Sequence, residues 1–595
     1  MKKIIIPALF AFAFGIVSCE SNLDIPQKGV VSTADYYASD ADAEAALADM
    51  YANFVQNVAG SEGIDNPEQV IINYSADDIL AAGGDKEDHI GFRVFDEFRY
   101  NESNGTLKEC YNRYVGALYH ANLVISNLST ENREGTEPNY TSAFTKQCVE
   151  EARVMRAYLH MMLAILWNRP AIIDRLLYAD EYPVQAESQE QVLRWVISEC
   201  DKAINSGSLP KRNGPTDKDA TARMTVGFAQ FVAGKAAMFA NDPATARKYL
   251  GDLINSGNYK LVDSDEFWTN FHVAGDGNCE KIFEPNFIYD NTASFWDNVW
   301  RSRWMVADVF CWRTDALASM PAPCPAAGWN GGAIQEDFAK KFLEHDGNSP
   351  RRRACFLTED EWLYDMEWNS PVTDRAAMEK DASRGIKNTS GVYSHGPYFE
   401  WKHMSYAKIP QILSGGKDYP IDNVSEIMGG ASNQKNFNVA RYAEALLLYA
   451  EACIGADDAN GLKALNEVQQ RSGSGKISSK LTFEDVMEEK QYEMWFENCR
   501  FPDLVRWAQQ GKVNLDQIFN KNYGGIHKHV PTVYDEFFTK NAGKHKLYTE
   551  YSEAVHNDFS DKYMYLPFPL DCRLANHFKN VLGWESLNGA EATEE

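Results

Sequence analysis

No Cys-x-x-Cys pair occurs in this chain of 595 residues, although it has eleven cysteines. The ten after Cys19, at positions 110, 148, 200, 279, 311, 324, 355, 453, 499 and 572, are dispersed and lack companion histidines. That pattern argues against a zinc site and for small, buried, mostly free thiols. Basic residues are outnumbered: 58 Lys and Arg face 85 Asp and Glu, a net charge of −27. Such a chain repels phosphate backbones and has no basic stripe to track nucleic acid. HExxH, GxSxG and P-loop patterns are missing too, which removes the motif-borne routes to metalloprotease, serine hydrolase and nucleotide chemistry. Asp458, Asn460, Gly461 and Glu467 fall on calcium-loop positions, but Ala456 stands where the first ligand belongs. No metal or cofactor is expected.

The N-terminal apolar stretch, Ile4 to Val17, is also short. About 14 residues cannot cross a hydrocarbon core of roughly 30 Å as a helix. It follows Met1, Lys2 and Lys3 and ends on Ile16, Val17 and Ser18 before Cys19, with polar Glu20, Ser21 and Asn22 beyond. This reads as a lipoprotein leader: residues 1–18 are a cleaved signal peptide, Cys19 is the lipidation site, and 19–31 is a polar tether. Two or more acyl chains would hold the remaining body, 32–595, on a membrane surface facing water. The plainer alternative is a secretory leader with an incidental cysteine.

Helical periodicity runs through 107–128, 145–167, 188–205, 221–240, 243–256, 334–345, 437–453, 461–471, 482–497 and 502–510. In 437–453, Val439, Tyr442, Ala443, Leu446, Leu447 and Ala450 form one continuous apolar stripe. Successive pairs suggest an all-α fold, a tetratricopeptide-like helix-pair scaffold mainly in 32–257 and 437–510, although no 34-residue period can be read. Thr482 and Asp485 resemble a capping box, and Gly455 and Gly461 bracket a tight inter-helix turn. Between about 258 and 436 the pattern changes to Gly, Pro, Asn and aromatics, as expected of long irregular loops that carry ligand on a scaffold.

The run Phe437-Asn438-Val439-Ala440-Arg441-Tyr442-Ala443-Glu444-Ala445-Leu446-Leu447-Leu448-Tyr449-Ala450-Glu451-Ala452 resembles the RYAE-x-LL-x-YAEA segment of SusD/RagB outer-membrane lipoproteins. Leu465-Asn466-Glu467-Val468, Arg471, Tyr492-Glu493, Phe496-Glu497, Arg500 and Asp503-Leu504-Val505-Arg506-Trp507 follow in family order. Tyr565-Leu566-Pro567-Phe568-Pro569 and Asn580-Val581-Leu582-Gly583-Trp584 resemble the family's closing motifs, while Asn498-Cys499 stands where a glycine is usual. The resemblance implies a non-catalytic cell-surface protein that captures glycan and delivers it to a SusC-like TonB-dependent transporter by lid-like closure. Glu20 and Asp24 look like the family's export signal, which places the protein on the outer membrane facing the exterior.

Nine of fourteen tryptophans, at 268, 296, 300, 304, 312, 329, 362, 368 and 401, lie between 268 and 401. An indole face suits the apolar C–H face of a pyranose, whose hydroxyl rim needs polar partners. Trp329, with Asn330 beside it, sits among Pro321, Pro323, Pro325, Gly328, Gly331 and Gly332 and is expected to be exposed. Trp296 and Trp300, with Trp304, stand four apart, a stripe that serves core packing as readily as binding. Trp362 and Trp368 lie in an acidic segment with Asp360, Glu361, Asp365 and Glu367, where a neutral sugar has room to stack. Asp77, Asp78, Arg99 and Tyr100 occupy a loop that contributes to the glycan site in similar proteins; a solvated charged loop is the plainer reading. His160 is expected in the core, and Arg441 and Glu444 in ion pairs that fix helix packing. The competing readings are a surface glycoside hydrolase, which needs two carboxylates across a cleft, and a structural helix-repeat adaptor, which has no use for the tryptophans.

Overall fold

The computed structural model describes residues 36–59, 67–81, 90–131, 135, 137–287, 323, 331–358, 360–368, 372–378, 381, 398–422, 435–521, 531–534, 547–549 and 559–589. Cys19 lies outside them. Five long helices open the scaffold: α1 (Asp40–Phe54), α2 (Gly105–Leu128), α3 (Ala143–Trp167), α4 (Gln189–Asn205) and α5 (Val226–Phe239). Polar caps start most of them. Ser142 and Thr145 form a reciprocal capping box on α3, and Ser188 and Thr225 accept from the first-turn amides of α4 and α5. Next comes α6 (Pro243–Asn255), opened by an Asp242 cap and a proline at its first position.

Each helix packs on the next from α2 to α6, and α6 then packs on α7 (Tyr442–Cys453), which packs on α8 (Asp458–Ser472). The fold is therefore all-α, with tetratricopeptide-like helix pairs. Close helix approach needs small residues. A Cβ on Gly234 of α5 would come within 2.5 Å of Leu250, and one on Gly461 of α8 within 2.6 Å of Cys453. The long excursion between α6 and α7 leaves the stack unbroken and hides any sequence period.

Three boundaries differ from the periodicity: the helix expected from 221 begins at Val226, after a short 3-10 turn at Asp219–Ala222. Helix α7 begins at Tyr442, because Ala440–Arg441 forms a strand against Lys281–Phe283 and the Tyr442 amide donates to the Glu280 carbonyl. Helix α9 (Phe483–Glu493), which Thr482 caps, stops at a turn where Phe496 and Asn498 have φ of +61° and +58°. Asparagine tolerates that left-handed geometry, which accounts for its presence where glycine is usual. Helix α10 (Arg500–Gln509) follows.

Buried ion pairs tie the helices together. Arg441 reaches Glu280, Glu493 and Glu497, and Arg471 joins Glu280 and Glu493. Arg351 adds Asp346, Glu489 and Glu493. Glu444 pairs with Lys235 at 2.9 Å and Lys490 at 3.4 Å rather than with Arg441. His160 is buried; its Nδ1 meets the Arg156 carbonyl and its Nε2 accepts from Ile173. Burial lowers it to about 4, so it is neutral near pH 7. The eight described cysteines are free thiols.

Candidate functional site

The excursion between α6 and α7 is anchored by short strands. β1 (Ile79–Ala81) pairs antiparallel with β2 (Gly332–Ile334), in the register Ile79 to Ile334 and Ala81 to Gly332. β3 (Phe356–Thr358) pairs with β4 (Tyr398–Glu400), and β2 lies against β4. Segments from three parts of the chain thus meet along one strip.

The first segment is clamped at several points. Tyr74 Oη donates to the Gly331 carbonyl at 2.5 Å. Asp77 accepts two hydrogen bonds from Arg500, at 2.6 and 2.7 Å. The Asp78 carbonyl accepts from the Gln335 amide at 3.1 Å and from Trp495 Nε1 at 3.2 Å. The Asp78 side chain is buried, with one oxygen 3.3 Å from Gln491 Nε2 and the other without a partner. Burial, then the charge of Asp77, raise its carboxyl to about 7 against the pull of Arg500. Asp96, absent from the sequence-based candidates, accepts from the Ala81 amide at 3.0 Å, and burial raises it to about 7.

The site residues expected from sequence separate into three groups. Asp77 and Asp78 are brought directly beside the strand that follows Gly331. Trp329, Asn330, Trp296 and Trp300 lie outside the described residues. The remaining four are not alike: Trp362, Trp368 and Tyr100 are buried, each for a physical reason, and Arg99 is exposed. Trp362 and Trp368 are core residues, not an exposed platform: their rings pack edge to face at 5.5 Å, and Trp362 also meets Phe399 and Trp401. The β3–β4 ladder draws both indoles inward despite their acidic neighbours. Tyr100 is buried against Phe95, Tyr563 and Trp584, so its face is taken by the C-terminal segment. Arg99 is exposed and paired with Glu97.

Between β3 and Trp368 the chain makes a π-helical turn, Glu361–Asp365. Arg352 holds its first residue through two hydrogen bonds to Glu361, at 2.6 and 2.5 Å. The turn sends Trp362 inward and leaves Tyr364 half-buried at the surface, with the Arg375 guanidinium 4.0 Å from its ring centroid.

A cleft of about 620 Å³, its share of open solvent included, is lined by Glu68, Lys235, Asn436, Glu444 and Glu497 among others. Its charged walls are already engaged: Lys235 with Glu444, and Glu497 with Lys402 and Arg441. It is part of the packing. Among the described residues, no three or more His, Cys, Asp or Glu side chains gather as metal ligands, and no helix is long and apolar enough to cross a membrane.

Comparison with known proteins gives one consistent result. The SusD family profile matches residues 280–572. A SusD-like protein of Bacteroides ovatus is 21% identical over 542 residues, covering 88% of this chain and 86% of its own. A laminarin-binding SusD-like protein superposes with a TM-score of 0.64 at 21% identity, over 82% of this chain and 95% of the other. Surface glycan-binding protein A from Bacteroides thetaiotaomicron, solved with laminarihexaose, gives 0.65 at 20% identity, over 91% and 99%.

Proposed function

Because this chain belongs to the SusD family, we propose that it is a non-catalytic, lipid-anchored surface protein that captures oligosaccharide or polysaccharide. In this reading Cys19 carries the lipid, residues 19–31 are the tether, and the protein faces the cell exterior from the outer membrane. It passes glycan to a SusC-like TonB-dependent transporter by closing over it. Closure of that kind requires the ligand to bind the closed arrangement more tightly than the open one.

One observation carries the reading. The β1–β2 pairing joins the Asp77–Asp78 segment to the chain that emerges just after Trp329 and Asn330, and the second ladder lies alongside. That pairing brings Asp77 and Asp78 together with the described chain from Gly331 onward, a fixed base of the kind a preorganised sugar platform requires. Trp329, Asn330, Trp296 and Trp300 remain the proposed contacts, with Asp77 and Asp78 as support for that base.

The hydrolase reading has one feature in its favour, the raised carboxyl of Asp78 beside Asp77. A general acid must touch its substrate, whereas Asp78 is 1% exposed and Asp77 is held by Arg500. The test uses protein lacking residues 1–19, run in affinity electrophoresis against plant, microbial and host glycans and in a reducing-sugar assay. Retention without release is expected. Release at enzymatic rates overturns the reading in favour of a hydrolase, and neither retention nor release favours an adaptor.

A further inference from the structure

We propose that a belt of tyrosines, on the face where the chain leaves the body toward Cys19, rests on the headgroup layer of the membrane and fixes the orientation of the anchored protein. The inference rests on the lipid-anchor reading above and adds a second contact with the same surface.

The first observation is where exposed apolar side chains fall. Among the described residues nine large ones are exposed, and apart from Ile90, Ile421 and Ile477 they are Tyr36, Tyr119, Tyr178, Tyr182, Val184 and Leu582. A chain of contacts joins the segments of these six. Tyr36 packs edge to face on Tyr37 at 5.0 Å, and Tyr37 lies within electrostatic reach of Tyr119. His120, beside Tyr119, meets Asp49 of α1 at 2.6 Å. Asn122, next on α2, donates to the Ile173 and Arg175 carbonyls at 3.0 and 3.4 Å, in the connection that carries Tyr178, Tyr182 and Val184. Tyr182 packs on His577 with ring centroids 5.8 Å apart, and Gln185 and Lys579 exchange two hydrogen bonds of 2.9 Å, which brings in the arm that bears Leu582. Clustered exposed apolar surface marks an interaction site, where single exposed side chains do not.

The belt is also built to stay exposed. Its connection spans 168–188 between α3 and α4, where about 2–8 residues join neighbouring helices. It is pinned by a bridge between Ala171 and Gln185 and by two hydrogen bonds from Arg175 to Glu181, at 2.9 and 3.0 Å. On that base Tyr182 is 62% exposed and Val184 82%. In the arm, His577 and Leu582 have φ of +57° and +50°, values that non-glycine residues adopt rarely and mostly at functional sites.

The tether decides the occupant. Tyr36 is the first described residue, and 17 positions separate it from Cys19, a reach of at most about 60 Å. The lipid therefore holds this face to the bilayer before any other. A short link keeps the effective concentration of the surface near about millimolar, so weak contacts suffice. Tyrosine suits them, because its ring enters the apolar side of the headgroup layer while its hydroxyl stays wet. Charge selects the headgroup. Asp174 and Asp180 are exposed beside the tyrosines, Arg175 is held by Glu181 and Lys108 by Asp571, and Lys579 is an exposed cation on the arm. That fringe favours zwitterionic headgroups over anionic ones.

The test is hydroxyl-radical footprinting, read by peptide mass spectrometry, on the lipidated protein in phosphatidylcholine vesicles and on protein lacking residues 1–19 in solution. Tyr119, Tyr182, Val184 and Leu582 should be oxidised about fivefold more slowly on vesicles, with Ile421 and Ile477 unchanged. Protein lacking residues 1–19 should itself partition weakly onto these vesicles. Tyr119→Ser combined with Tyr182→Ser should reduce that partition about tenfold at an unchanged melting temperature, and about one-quarter phosphatidylglycerol should weaken it too. Lipidated protein that floats with vesicles but shows no protected belt overturns the inference and leaves the anchor reading standing. Protein purified from cells that is not lipidated and does not float overturns both. Protection in native membranes but not in vesicles assigns the belt to a membrane protein. Protection without vesicles in a Cys19→Ser chain that starts at residue 19 assigns it to the tether or a second copy, and either result overturns the lipid occupant. Stronger partition onto phosphatidylglycerol overturns the headgroup class, and a lower melting temperature with partition unchanged assigns the two tyrosines to packing.

Discussion

Arg441 and Glu497 are joined by two hydrogen bonds, Nε to Oε2 at 2.7 Å and Nη2 to Oε1 at 2.8 Å, across 56 residues of chain. The same guanidinium is shared with Glu280 and Glu493 and is fully buried. It is the hub where the returning strand at 440–441, the end of α9 and the start of the excursion meet.

Removing that hub leaves buried carboxylates without a counter-charge. Arg441→Ala should destabilise the fold by about 3–5 kcal/mol, measured by urea unfolding, while the fraction that remains folded should bind glycan as wild type does. A loss under about 1 kcal/mol would show the network to be dispensable.

The carboxylates themselves set an acid limit. Burial opposes ionisation of Glu497 and Glu280, but Arg441 with Lys402, and Arg471 with Arg441, hold them at about 2. A carboxylate lower in the folded than in the unfolded chain contributes stability above its unfolded value of about 4.5, and that contribution disappears as pH falls toward 2. Thermal unfolding followed from pH 6 to pH 2 should show the melting temperature drop steeply below about pH 5, and a flat profile would contradict the ion-pair account.

Asp78 works in the opposite sense. Its carboxyl is raised to about 7 by burial and by Asp77, so between about pH 4 and pH 7 the folded state holds a proton that the unfolded state has released; stability falls across that window and is flat above it. Asp78→Asn should stabilise the protein at pH 8 by about 1–3 kcal/mol and change little at pH 4. Chemical denaturation at the two pH values is the check, and an equal effect at both would assign the change to packing.

Two tryptophan substitutions should behave differently. Trp362→Ala empties a fully buried site among Phe399, Trp368 and Trp401 and should cost about 3–5 kcal/mol. Trp329→Ala should weaken glycan retention with the melting temperature nearly unchanged. Calorimetry and affinity electrophoresis on both proteins separate the roles, and a large fall in melting temperature for Trp329→Ala would move that residue to the core.

The helices were legible because a 3.6-residue apolar stripe is a local signal that only burial on one face explains, as at Tyr442, Leu446 and Ala450. The strands were not, since elements such as Ile79–Ala81 and Gly332–Ile334 are too short to show alternation and exist only through partners about 250 residues away. The long separation of Asn255 from Tyr442 likewise hid the packing of α6 on α7, and with it the reason no repeat could be read.

By itself the sequence determined the helical class and the family resemblance, through periodic stripes and a collinear series of motifs. Only tertiary structure decided which aromatics face water: acidic neighbours mark Trp362 and Trp368 as surface residues, yet pairing of Phe356–Thr358 with Tyr398–Glu400 turns both inward. Burial is a relation between distant segments, so composition near a residue cannot fix it.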